Sequence, residues 1–148
     1  MSRRSYSRIW LHFVWGTMNR EHLLPTFAAV QVSSFLKRYA YEQKIFMSIN
    51  YVNPDHVHAL VDLPVTRTPA EIAKLLKGAS SHWINHSGLI ERPFAWCRGY
   101  GVFSVSYGHH ERVSRYIARQ AEHHRRVSFR DEYHEFVRHH GMQWHDDM

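Results

Sequence analysis

Residues 55–63 read Asp55-His56-Val57-His58-Ala59-Leu60-Val61-Asp62-Leu63. Two histidines stand at i and i+2, and in an extended chain alternate side chains share a face. His56 and His58 therefore project together, while Val57, Ala59, Val61 and Leu63 point the other way, into a core. Two imidazoles side by side on a strand make half of a metal site, and the rest of the chain must supply the other half.

Immediately upstream, Lys44 to Val52 carries Ile45, Met47, Ile49 and Tyr51 in alternation, the pattern of a second strand. Asn53-Pro54-Asp55 between them is a tight-turn signal, so the two strands form a hairpin. Farther upstream, residues 8–17 alternate Ile9, Leu11, Phe13 and Trp15 on one face. A helix follows from near Pro25 to about Glu42, with Ala28, Val32, Phe35, Leu36 and Tyr39 at helical spacing. Downstream of the histidines, Pro64 to Arg67 ends the strand. Thr68-Pro69-Ala70-Glu71 then opens a helix: Thr68 at the N-cap, Pro69 in the first turn and Glu71 closing a capping box. Ile72, Leu75, Leu76 and Ala79 form its apolar stripe, and Ser87-Gly88 stops it.

The remaining chain predicts a long fourth strand over 95–106, a third helix over about 108–126 and a short last helix within 129–140. The order β-α-β-β-α-β followed by helices is the ferredoxin-like or RRM-like split βαβ pattern of an α+β domain. It implies an antiparallel sheet with helices on one face and the other face free for a ligand. We expect a single domain over 1–148, with a core over about 8–126 and a helical tail over 127–148.

Composition narrows the function. At 148 residues, with 44% hydrophobic and 22% charged residues, the chain has the make-up of one ordered globular domain. Lys and Arg number 19 against 13 acidic residues, a formal charge of +6, and the pI is near 9.7. Such an excess favours an anionic partner, nucleic acid foremost. Cys97 is the sole cysteine, which excludes a disulfide framework and a thiolate metal cluster and fits a reducing cytoplasm. No run of residues reads as a signal peptide or reaches the ~18 apolar residues of a membrane span. Of the 14 histidines, the late pairs His109-His110, His123-His124 and His139-His140 read as solvated helix residues.

On the third helix, Tyr116 and Gln120 are four residues apart and share a face, with Arg112 and His123 on neighbouring turns and Arg115 and Arg119 beside it. Packed near the histidine strand, Gln120 could give an amide oxygen to a cation held by His56 and His58, with the Tyr116 hydroxyl alongside. Neutral His-His-Gln ligands leave a divalent charge largely unneutralised, which suits Lewis-acid polarisation of a phosphodiester. Imidazole and oxygen ligands with open positions suit Mg²⁺ or Mn²⁺. Tyr116 would then attack phosphorus and form a covalent 5′-phosphotyrosine.

These residues carry a resemblance. Asp55-His56-Val57-His58, together with Tyr116-Ile117-Ala118-Arg119-Gln120, resembles the HUH single-tyrosine (Y1) transposases of the IS200/IS605 group. The early Leu11-His12-Phe13-Val14-Trp15 strand with Asn19-Arg20, and the late runs Gln120-Ala121-Glu122-His123-His124 and Phe129-Arg130-Asp131-Glu132-Tyr133, are similar to that family's pattern, so the likeness spans roughly residues 8–140. It implies His56, His58 and Gln120 as metal ligands and Tyr116 as nucleophile. It also implies single-stranded DNA with subterminal hairpins as substrate, cut and rejoined by a homodimer in which the tyrosine helix of one subunit commonly serves the other's histidines. The setting implied is a bacterial or archaeal cytoplasm, at the nucleoid when active. Related repeat-associated (REP) tyrosine proteins usually carry an Asn-Pro soon after the tyrosine, which this chain lacks.

Rival readings attach to specific residues. Tyr100 and Tyr107 are alternative nucleophiles, at or near the fourth strand. Asp55 and Asp62 could assist the metal or serve the turn and hairpin. Arg3, Arg4, Arg8, Lys74, Lys77, Arg112, Arg115, Arg119, Arg125 and Arg126 are candidate phosphate contacts. A non-catalytic RRM-like module would instead stack bases on sheet-face aromatics such as Trp10 or Trp96, and a metal-dependent phosphodiesterase would use water as nucleophile.

Overall fold

The structure, a computed structural model, describes residues 5–143. The strand that bears the histidines, β3 (His56–Asp62), lies inside a four-stranded antiparallel sheet. Its neighbours are β1 (Trp10–Gly16) and β2 (Phe46–Val52), and β4 (Gly101–Val105) closes the far side of β1, giving the order β2-β3-β1-β4. Hydrogen-bonded on both edges, β3 is a rigid floor, with Val14 opposite His58 and Gly16 opposite His56 in the β1 ladder.

Helices α1 (Thr26–Glu42) and α2 (Pro69–Ser87) cover one face. Leu11, Phe13, Trp15, Val57, Ala59 and Val61 from the sheet meet Val32, Leu36, Ile72, Leu76 and Ile84 in the main core. Each fully buried aliphatic side chain there contributes about 1.5–3 kcal/mol. The start of α2 has the capping box expected of Thr68 and Glu71, and Gly88 ends it at φ 71°, a left-handed conformation that costs glycine little.

Three of the elements themselves differ from the sequence reading. The fourth strand is shorter, because residues 95–100 take other partners: Trp96 makes a single bridge to Thr17, and the Lys77 ammonium donates to the carbonyls of Arg98 and Gly99 at 2.8 and 3.0 Å. The alternation in β2 reverses at a bulge between Met47 and Ile49. Ile45 and Met47 therefore join the main core while Ile49 and Tyr51 face the opposite side, since one extra residue flips every later side chain. The third helix is two, α3 (His110–Ala118) and α4 (Gln120–His123), interrupted at Arg119. No glycine or proline marks the break; it accompanies the complete burial of Gln120.

The second sheet face, expected to be free, is covered by these helices and by α5 (Phe129–His139). Val14 and Phe103 pack against Phe129, Tyr133 and Val137, and Trp10 and Leu60 against Ile117. Glycines make the close approach of α5 possible. A Cβ on Gly16 would come within 2.6 Å of the Phe129 ring, and one on Gly101 within 2.7 Å of the Tyr133 ring. Trp10 and Trp96 are buried, which removes the base-stacking platform that an RRM-like module requires.

Candidate active site

His56 and His58 emerge from the covered sheet face, both fully buried. Each ring is held from behind. The His56 Nδ1–H donates to Asp55 Oδ1 at 2.6 Å, and His58 Nδ1 meets His12 Nε2 at 2.8 Å. Phe129 stacks on His56 with ring centroids 4.1 Å apart, and Phe136 meets His12 edge-on. Asp55 thus orients a histidine, while Asp62 ties the end of β3 to the segment entering β1, accepting from the Ile9 amide at 2.9 Å and pairing with Arg8 at 3.1 Å.

The front of both rings turns to a carboxylate absent from the sequence-derived site. Glu132 Oε1 lies 2.9 Å from His58 Nε2, 3.3 Å from His56 Nε2 and 3.2 Å from His124 Nε2. Its other oxygen accepts a short hydrogen bond from the Tyr116 hydroxyl and lies 3.2 Å from His123 Nε2. The Tyr116 ring stands edge-on to His58, with centroids 5.7 Å apart. Gln120 is also in the cluster: its Oε1 lies 2.9 Å from His124 Nε2 and 3.3 Å from the Asn53 amide, and its Nε2 faces Glu132 Oε2 at 3.3 Å. The sequence-expected quartet His56, His58, Tyr116 and Gln120 is therefore brought together within one chain, around Glu132.

Burial by itself would raise the Glu132 pKa, but hydrogen bonds from His56 and His58 hold it down at about 2, so the carboxylate stays ionised. His56 is pulled down by burial and then raised above its ordinary value by Asp55 and Glu132. Burial lowers His58 and His12. His124 falls to about 4, through burial first and then the neighbouring His56. The ionised Glu132 and the lowered His58 and His124 are in the forms that bind metal, whereas His56 must give up a proton to do so. The ligand atoms of His56, His58, His124 and Glu132 all lie within 4.8 Å of one another, so these donors fit a divalent cation.

The basic candidates divide. Arg112, Arg115, Arg119 and Arg126 line a cavity of about 440 Å³ that Tyr116 also borders. Arg125 and Arg126 line a second cavity, of about 770 Å³, with His124 and Asp55 on its wall. Lys74 stands on α2, beyond the opposite sheet face, and Lys77 is engaged with backbone carbonyls. Arg8 is paired with Asp62; Arg3 and Arg4 lie outside the described residues. Of the rival tyrosines, Tyr100 packs against the main core and Tyr107 is solvent-exposed in a turn after β4.

Sequence reasoning missed Glu132, His12, His124 and Asn53 as parts of the site. A usable signal existed for two of them. Glu132 is a carboxylate set into the apolar stripe of α5 between Phe129, Tyr133 and Phe136, and His12 is an imidazole inside the run Trp10 to Trp15.

A family profile described as IS200-like transposase matches residues 5–120. Among solved structures, a candidate transposase from Deinococcus radiodurans R1, determined at 1.90 Å, is similar with a TM-score of 0.65 and 24% identity over 81% of this chain and 96% of that one. A REP-associated tyrosine transposase bound to a REP hairpin is similar with a TM-score of 0.61 and 16% identity over 86% of this chain and 75% of that one. A search of curated proteins finds no match. Among the described residues no helix is long and apolar enough to cross a membrane. With a profile match over most of its length and a tyrosine facing a buried histidine pair, the chain belongs to the IS200-like transposase family.

Proposed function

We propose that this transposase cuts and rejoins single-stranded DNA at hairpin-bearing element ends through a covalent 5′-phosphotyrosine at Tyr116. The observation that carries this reading is the Tyr116 hydroxyl donating to an ionised carboxylate that itself contacts the His56–His58 pair. A phenol near pKa ~10 is a weak nucleophile, and an adjacent carboxylate base with a cation nearby activates it.

Tyr116 Oη attacks phosphorus and its proton passes to Glu132. The bond from phosphorus to the 3′ oxygen breaks, that oxygen takes a proton from solvent water, and the DNA 5′ end remains on the tyrosine. Attack by a later 3′-OH reverses the step without ATP, because the phosphodiester bond energy is retained in the phosphotyrosine. His56 and His58 would hold a divalent cation, Mg²⁺ or Mn²⁺ on the family resemblance, with Gln120 beside them. When bound, such a cation would supply Lewis-acid polarisation of the phosphodiester. Arg112, Arg115 and Arg119 flank Tyr116 where the strand's phosphates would run.

Tyr116 meets the histidines of its own chain, which supports cleavage in cis; the homodimer and exchange of tyrosine helices come from the family resemblance. Hairpin DNA as substrate agrees with the hairpin-bound REP-associated neighbour. The reaction belongs where a bacterial or archaeal cell exposes single-stranded DNA.

The test is incubation of the protein with Mn²⁺ or Mg²⁺ and labelled single-stranded hairpin DNA, followed by a denaturing gel. A covalent protein–DNA band that disappears in Tyr116→Phe supports the reading. Cleavage that survives the substitution indicates a water nucleophile, and binding without cleavage a DNA-binding module.

A further inference from the structure

Resting on the reading above, we infer that the cleft between α1, the β2–β3 turn and residues 124–129 is a nucleotide subsite. Its occupant is the nucleotide whose 3′ oxygen departs, with the base seated inside the cleft and the backbone phosphate at its rim. The cleft has a volume of about 770 Å³.

The argument begins with its place relative to the nucleophile. Attack on phosphorus is in line, so the departing oxygen and its nucleoside lie across the phosphorus from the Tyr116 Oη. Tyr116 meets the buried cluster at one end, where its hydroxyl contacts Glu132 and faces His123 at 3.4 Å, and its ring stands against His58. The cleft meets the cluster at the other end. Its wall holds Asp55, Asn53 and Phe129, which contact His56 at 2.6 Å, at 3.1 Å and by ring stacking at 4.1 Å. His124, also on that wall, stands edge-on to His56 with ring centroids 4.4 Å apart. Tyr116 borders the smaller, arginine-lined cavity and not this one. Arg126 and Val127 border both, so one strand can run from the tyrosine into the cleft across these two residues.

The lining suits a nucleotide. A base has apolar faces and a polar edge, and its phosphate is anionic. Val30 and Val127 supply apolar surface, and Thr26, Ser34 and Tyr51 supply hydroxyls for the edge. Arg125 and Arg126, both exposed, supply charge for the phosphate. Val30 is 61% exposed, and Phe27, three residues before it on α1, is 60% exposed. These two side chains are neighbours on the helix surface and leave an apolar patch beside the cleft. Asp55 is the one acidic residue of the lining, and its carboxylate is already engaged by His56 at 2.6 Å and by His22 at 3.6 Å. The volume also falls within the roughly 300–1,000 Å³ of small-ligand sites.

The test is photocrosslinking of the full chain to short single-stranded oligodeoxynucleotides. One set ends in a 3′-hydroxyl and carries photoreactive analogues of each of the four bases, in turn, at the last nucleotide. A second set carries them at the first nucleotide, next to a 5′-phosphate. Mass spectrometry should map the first set to residues 26–34, 51–55 or 124–129, and the second to 112–119. Val30→Trp and Ser34→Trp place an indole in the cleft from exposed positions on α1, and circular dichroism checks that both fold. Each should weaken crosslinking of the first set at least about tenfold and leave the second set unchanged. Mapping of the first set to 112–119 alone, equal crosslinking in parent and both variants, or no crosslink at all would overturn the proposal. The probes need no cleavage. Absence of the covalent adduct would therefore defeat the phosphotyrosine reading and leave the mapping standing, and a failed mapping leaves the adduct assay standing.

Discussion

Glu132 stands 74 residues beyond His58, yet its Oε1 lies 2.9 Å from the His58 Nε2. Its second oxygen accepts from Tyr116, so a single side chain on α5 joins the strand floor to the tyrosine helix.

Glu132→Gln keeps the size of the side chain and removes the base. We expect cleavage of single-stranded hairpin DNA to fall about 10²–10⁴-fold in single-turnover assays. Circular dichroism should report a folded protein, destabilised by about 1–3 kcal/mol through the altered hydrogen bonds. Full cleavage activity in this variant would remove Glu132 from the chemistry.

Asp55→Asn leaves His56 with a weaker acceptor behind it. The affinity for Mn²⁺ or Zn²⁺ should drop about 10–100-fold by calorimetry, with the thermal midpoint little changed. An unchanged affinity would mean that the contact serves only the turn between β2 and β3.

Gly16→Ala tests how α5 is seated. The new methyl group meets the Phe129 ring, which stacks on His56. Urea denaturation should show a loss of about 1–3 kcal/mol. Combining it with Phe129→Leu should recover part of that loss, whereas strictly additive losses would count against the contact.

Placement of the tyrosine in cis or in trans is read by complementation. Mixed His58→Ala and Tyr116→Phe proteins should stay inactive, because each chain lacks one half of its own site. Adduct formation in the mixture would instead establish exchange of the tyrosine helix between subunits.

Acid should destabilise the metal-free protein in two stages. His124, with an ordinary value of 6.5, titrates at about 4 when folded. The unfolded chain therefore binds the extra proton across that window, and stability declines as pH falls through it. Glu132 drops from 4.5 to about 2, so its contribution is present above 4.5 and lost toward the lower value. His56, raised when folded, works in the opposite sense and is most stabilising below 6.5. Thermal midpoints measured with chelator from pH 7 to 3 should decline less steeply in His124→Ala between pH 6.5 and 4. An identical slope would refute the assignment.

Local signals in the sequence determined a great deal. Period-2 alternation around His56 and His58 set the histidine strand and the shared face of its two rings. The Thr68–Glu71 capping box and Gly88 bounded α2, and the turn at Asn53-Pro54-Asp55 set the β2–β3 hairpin, because each depends on the chemistry of a few adjacent residues. The four-residue spacing of Tyr116 and Gln120 was equally legible, and it survives the helix break between them.

What required the tertiary structure was everything set by contacts distant in sequence. The bulge at Met47/Ile49 reverses a strand without a local breaker. The cover over the second sheet face depends on α5 finding two glycines, Gly16 and Gly101, on strands far away in the chain. Glu132 belongs to the site only because that docking carries it there: read alone, it is one acidic residue in a short amphipathic helix, and a carboxylate becomes a buried partner only when the fold supplies the imidazoles that offset its desolvation.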